Sequence, residues 1–88
     1  VRVDFRKSFS RDLKKIKDNN LFQQVRAAIE EVEAALDLNM ISNLKQLKGE
    51  REYFRIKTGN YRIGLKLEND IFIFIRFLHR KDIYRYFP

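Results

Sequence analysis

Tyr53-Phe54-Arg55-Ile56-Lys57-Thr58-Gly59-Asn60-Tyr61-Arg62-Ile63-Gly64-Leu65-Lys66-Leu67 alternates in polarity on both sides of a short break. In an extended chain successive side chains point to opposite faces. Tyr53, Arg55 and Lys57 therefore share one face, and Phe54 and Ile56 the other. Thr58-Gly59-Asn60 reads as a turn. Beyond it Tyr61, Ile63, Leu65 and Leu67 point inward, and Arg62, Gly64 and Lys66 outward. The stretch predicts a β-hairpin with one apolar and one cationic face.

The neighbouring segments extend this sheet. Glu68-Asn69-Asp70 is a second turn signal, and Ile71 to Leu78 is apolar except for Arg76. Such a run predicts a central strand buried on both faces. At the other end of the chain, Val1, Val3 and Phe5 alternate with Arg2 and Asp4, as in a short strand with one buried face. Phe9, Leu13 and Ile16 then recur at helical spacing, with Ser8 or Ser10 as a possible N-cap. Asp18-Asn19-Asn20 breaks this helix and can cap a second, expected over Leu21 to Leu36. Its apolar stripe is Leu21, Val25, Ala28, Ile29, Val32 and Leu36. Glu30, Glu31 and Glu33 read as its solvated face. Asp37 to Gly49 is irregular, and Met40, Ile41, Leu44 and Leu47 are expected to be buried plugs in a loop or helical turn. The expectation is an α+β fold in one domain, residues 1–88. A short strand, an antiparallel two-helix hairpin and a three-stranded antiparallel meander would form a two-layer structure with a four-stranded sheet.

Composition narrows the function. The 88 residues contain no Cys and one His, which excludes disulfides, thiolate metal sites and a Cys nucleophile. No metal and no cofactor is expected. No segment approaches the ~18 apolar residues of a membrane span, so no membrane partner is expected, and the chain reads as cytoplasmic. The net charge is +7, from 19 Lys and Arg against 12 Asp and Glu. Residues 51–88 carry nine cations against four acids, so the excess is concentrated in the C-terminal part. That pattern suggests an anionic partner, with nucleic acid first.

The cations that can converge are Arg55, Lys57 and Arg62, on facing strands of the hairpin. Arg76 and the Arg80-Lys81 pair can approach from the last strand and its end. Tyr53 and Tyr84 supply rings that could stack a base. Lys66 and Arg85 add further charge for RNA binding. Lysine and arginine also serve simply to keep strand edges soluble. His79, at the end of a buried strand, is more often a hydrogen-bonded structural residue than a catalyst. Tyr86 and Phe87 are expected to be packing residues.

The segment Tyr53 to Ile63 resembles the signature of the RelE/ParE toxins, in which a strand, a Gly-containing turn and a Tyr-Arg pair follow one another. His79-Arg80-Lys81-Asp82-Ile83-Tyr84 is similar to the ending of the RelE branch, and Asn43-Leu44-Lys45-Gln46-Leu47-Lys48-Gly49 to the loop before the meander. The resemblance covers nearly the whole chain in order. It implies the toxin of a type II toxin–antitoxin system. Such a toxin is a metal-independent endoribonuclease that cuts mRNA at the ribosomal A site through attack of the 2′-OH. A cognate antitoxin neutralises it, in a toxin–antitoxin hetero-oligomer.

By position, Arg55 and Lys57 match the family's basic pair, Arg62 the arginine of the Tyr-Arg signature, and Arg80 and Lys81 the basic residues after the last strand. Tyr84 falls near an aromatic position used for stacking. The best-known ribosome-dependent member has lysine where Arg55 stands, and arginine does not readily give up a proton. Lys57 is therefore expected to be the general base, with Arg55 and Arg62 as neighbouring cations that disfavour a protonated amine. His79 is the competing base or acid. Two other readings are a ParE-like inhibitor of DNA gyrase and a non-catalytic RNA-binding module.

Overall fold

A computed structural model describes residues 1–88. The elements run β1 (Arg2–Phe5), α1 (Lys7–Lys14), α2 (Asn19–Ala34), a 3₁₀ turn (Leu38–Met40), β2 (Leu44–Leu47), β3 (Glu50–Thr58), β4 (Tyr61–Glu68), β5 (Ile71–His79) and α3 (Ile83–Tyr86). One sheet has the order β1-β5-β4-β3-β2. Strands β2 to β5 form an antiparallel meander, and β1 joins β5 in parallel.

The expected α+β layering is present, but the sheet has five strands and not four. The extra strand is β2, where plugs were expected. Leu44 and Leu47 are three residues apart, which breaks a period of two. A bulge between Gln46 and Leu47 absorbs the extra step, pairing Gln46 with Phe54 and Leu47 with Glu50. Both leucines become half-buried.

The hairpin faces fall as the alternation predicts. Phe54, Ile56, Ile63, Leu65, Phe72, Phe74 and Phe77 form the sheet's share of the core, with Phe9, Leu21, Val25, Val32 and Ala35 from the helical layer. Helix α1 packs along β5, and α2 against β3 and β1. Asp18 caps α2, its side chain accepting from the Leu21 N–H at 3.2 Å. That helix ends at Ala34, so Leu36 lies beyond it and is 88% exposed, contrary to its expected place in the stripe. Met40 is exposed as well. Neither serine caps α1: the N-cap position is Arg6, and Ser8 instead donates to the Ile75 carbonyl at 2.5 Å.

That bond belongs to a seal along β5. Strand β1 pairs with β5 only as far as Phe74, which leaves the later backbone groups of β5 without a strand beside them. Arg6 donates its N–H to the Phe74 carbonyl at 2.9 Å, Ser8 covers Ile75, and Asp12 accepts the Phe77 N–H at 2.9 Å. Helix α1 thus does for the edge what a sixth strand would do.

The opposite face is partly covered by the C-terminal tail. A bulge between Gly64 and Leu65 pairs Gly64 with Arg76. The Phe87 ring lies directly over Gly64: a Cβ there would fall 2.8 Å from the ring. Ile73, Ile83 and Phe87 are buried outside the main core. Phe87 packs as expected, whereas Tyr86 is 55% exposed. Gly64→Ala is expected to push the tail off the sheet and destabilise the fold by about 1–3 kcal/mol, as overpacking does. A thermal melt in parallel with Gly49→Ala, where the Cβ meets nothing, checks it. There the strain of a positive φ is the sole effect, and the signature of tail displacement in Tyr and Phe ring resonances should be absent.

Candidate nucleic-acid interface

With Phe87 over its middle, the cationic face stays open at the end beside the β3–β4 turn. Three cross-strand rows define it. Tyr53 pairs with Lys66, Arg55 with Gly64, and Lys57 with Arg62. Arg62 is in turn opposite Leu78. Cross-strand partners bring their Cβ atoms within about 5 Å, so Lys57 and Arg62 are immediate neighbours on one face. Lys57 is exposed, Arg62 half-buried.

The turn holds Arg62 in place. Its Nη1 donates to the carbonyls of Gly59 at 3.0 Å and Tyr61 at 2.9 Å. The left-handed Gly59 (φ 59°) makes that turn possible. One side of the guanidinium is thus anchored, and its remaining N–H groups have no protein partner. The same turn fixes the end of β5, because the Arg80 N–H donates to the Asn60 carbonyl at 2.8 Å. Arg80 and Lys81, both exposed, therefore sit at the end of the sheet that carries Arg62. None of Lys57, Arg62, Arg80 and Lys81 belongs to any of the ion pairs in the structure.

Other candidates are committed elsewhere. Arg76 makes a two-pronged pair with Asp12, Nε to Oδ2 at 2.7 Å and Nη2 to Oδ1 at 3.1 Å. This hydrogen bond holds the Arg76 guanidinium above its usual pKa. Asp12 is buried, at 6% exposure. Arg76 is thus a structural partner of the α1 seal, and not a free phosphate ligand. Lys66 is bridged to Glu68 at 3.4 Å and Glu52 at 3.7 Å, with its ammonium 5.7 Å from the Tyr53 ring centroid. The hydrogen bond from Glu68, then its charge, raises the pKa of Lys66. Tyr53 packs edge-on against Phe87 at 5.6 Å. Arg55 donates through Nη1 to the Asn43 carbonyl at 3.2 Å, while its Nε is buried without a partner.

His79 lies on the helix-facing side, paired with Tyr61 at 5.4 Å between ring centroids. Its Nδ1 accepts the Lys81 N–H at 3.1 Å. The sheet separates its ring from the side chains of Lys57 and Arg62, which project from the other face. Tyr84 is 64% exposed on α3, and Arg85 stands 5.9 Å from the Tyr86 ring. No group of three or more His, Cys, Asp or Glu is placed to hold a metal ion, and no helix is long and apolar enough to cross a membrane.

Asp12, Gly64 and Phe87 organise this face, yet the sequence singles none of them out as doing so. The one available signal was Asp12, the lone acid in the basic segment from Arg6 to Lys17.

A surface of this kind invites comparison with known proteins. A family model described as the ParE toxin of the type II toxin–antitoxin system parDE matches residues 3–84. Toxin RelE3 of Methanocaldococcus jannaschii is 42% identical over 89 residues, covering the whole of both chains. The RelB–RelE antitoxin–toxin complex from Methanococcus jannaschii contains a chain 41% identical, with a TM-score of 0.81 over 97% of this chain and 99% of that one. The RelBE2 toxin–antitoxin complex from Mycobacterium tuberculosis is 24% identical, with a TM-score of 0.59 over 90% of this chain and 96% of that one, a likeness of fold. The family match spans nearly the whole chain and the RelE3 match all of it: the chain belongs to the RelE/ParE toxin superfamily of type II toxin–antitoxin systems.

Proposed function

We propose that this chain is the toxin of a type II pair and acts as an endoribonuclease on mRNA in the ribosomal A site. The observation that carries the reading is the Lys57–Arg62 cross-strand pair at the open end of the sheet, unopposed by any carboxylate. Cleavage by the substrate's own 2′-OH needs a base, positive charge for the phosphorane and an acid for the leaving oxygen. Unprotonated Lys57 takes the 2′-OH proton as O2′ bonds to phosphorus. Arg62, anchored on one side, presents its free N–H groups to the developing negative charge. The P–O5′ bond breaks, and Lys81, with Arg80 beside it, returns a proton to O5′. The products are a 2′,3′-cyclic phosphate and a free 5′-OH. Arg55 lends charge beneath this pair, and Tyr84 offers a ring for a base.

The antitoxin belongs to the same reading. The similar chain of Methanococcus jannaschii was solved with RelB, and a cognate antitoxin is proposed to hold this toxin silent in a hetero-oligomer. The reading places the protein with ribosomes, in the cytoplasm. Arg62→Ala is expected to slow cleavage by roughly 10²–10³, the usual effect of removing one oxyanion donor. Binding should change little, since Lys57, Arg80 and Lys81 stay. Single-turnover cleavage of a short RNA beside its binding isotherm checks the separation; equal losses in both would make Arg62 a binding residue only.

A ParE-like action on gyrase is the second reading, favoured by the family model's own description. It predicts gyrase-dependent DNA cleavage that survives Lys57→Met, and a supercoiling assay with that variant separates the two.

A further inference from the structure

Residues 6 to 17 carry Arg6, Lys7, Arg11, Lys14, Lys15 and Lys17, all exposed. Their one acid, Asp12, is spent on Arg76 and the Phe77 N–H. None of the six cations has an ion-pair partner. A solvated helix face ordinarily mixes charges, as α2 does with its Arg26–Glu30 pair. Helix α1 does not.

The placement also works against the helix. The positive end of a helix dipole lies at its N-terminus and disfavours cations there. Yet Arg6 and Lys7 occupy the N-cap and first positions, with no acid in the first turn and no side-chain cap. Local stability is given up for positive charge, and tertiary contacts with β5 hold the helix instead.

The patch is continuous with the proposed catalytic end. A cavity of about 300 Å³ at the C-terminal end of α1 is lined by Lys15 and Ile16 on one side and by Tyr61, His79 and Asp82 on the other. Arg80 follows His79 directly. Lys7, Arg11 and Lys14 lie at i, i+4 and i+7, on one side of the helix, spread over about 10 Å at 1.5 Å per residue. A nucleic-acid duplex presents a negative charge about every 1.7 Å of its axis, so several phosphates face such a stripe at once.

From these observations we infer that the exposed face of α1 is a second RNA-binding surface, which grips the phosphate backbone of structured RNA flanking the strand held at Lys57 and Arg62. The inference rests on the RNA-directed reading of the chain but uses none of its catalytic residues.

The test is binding of a 16-base-pair RNA hairpin that lacks any cleavage, measured by fluorescence anisotropy from 50 to 300 mM salt. The variant is Lys7→Gln, Arg11→Gln, Lys14→Gln and Lys17→Gln together. The control removes equal charge elsewhere: Arg2→Gln, Arg26→Gln, Lys48→Gln and Arg51→Gln, all exposed. Each phosphate contact adds nearly one to the slope of log K against log salt. The α1 variant should lower that slope by about three and weaken binding about tenfold or more. The control should shift it by less than one. Both proteins should melt cooperatively, and both should still cleave a short single-stranded substrate. Equal slope losses in variant and control would make the effect one of net charge and overturn the assignment. An unchanged slope in the α1 variant would overturn it as well, as would an equal loss of binding to poly-glutamate, which would give the patch to an acidic protein. Failure of wild-type protein to cleave any RNA would sink the catalytic reading while leaving this binding result standing.

Discussion

Lys57→Met is expected to lower the rate of RNA cleavage by roughly 10²–10⁴, the span over which a positioned general base acts. Lys57 is exposed and makes no side-chain hydrogen bond or ion pair, so removing its charge leaves the fold untouched. Lys57→Arg separates charge from proton transfer. Arginine keeps the cation but does not give up a proton in this range, so RNA binding should persist while cleavage stays low. His79→Gln is the matching experiment on the competing group. With its ring on the other face of the sheet and its Nδ1 occupied by the Lys81 N–H, it should retain cleavage within about tenfold. Single-turnover rates at saturating protein read all three. Full activity in Lys57→Met, or a collapse in His79→Gln, would transfer the proton chemistry to the histidine.

Asp12→Ala should be the most damaging single change to stability. It removes both prongs from Arg76 and the acceptor of the Phe77 N–H. An orphaned buried donor alone costs about 1–3 kcal/mol. Breaking a fully buried pair costs about 3–5 kcal/mol, but Arg76 reaches solvent and recovers part of that by hydration. A loss of about 2–4 kcal/mol follows, and in a domain of this size each kcal/mol lowers Tm by about 4–8 °C. Arg76→Met, which leaves Asp12 still accepting from Phe77, should lose less. Chemical denaturation of both single variants and the double one gives the coupling directly. Additive losses would show that Asp12 and Arg76 do not act as a unit.

The hairpin was legible because its faces alternate without interruption from Tyr53 to Leu67, and its turn carries a glycine that the backbone needs. The cationic row at Lys57 and Arg62 followed from that alternation alone. Strand β2 was not legible, since its bulge hides the period that marks a strand. The allegiance of Arg76 was hidden as well: its partner lies 64 residues away, on a helix whose register against β5 no local pattern records. The same is true of Gly64, whose lack of a side chain has meaning only once Phe87 returns across the sheet. Local periodicity thus gave the face and its charges, whereas long-range pairing decided which of those charges remain free.

Primer extension on mRNA held in programmed ribosomes, with naked mRNA alongside, tests the central claim most directly. The account predicts a cut within the A-site codon by the wild-type chain, abolished by Lys57→Met and by the cognate antitoxin. A folded wild-type protein that cuts neither substrate, or a Lys57→Met protein that cuts like wild type, would contradict it.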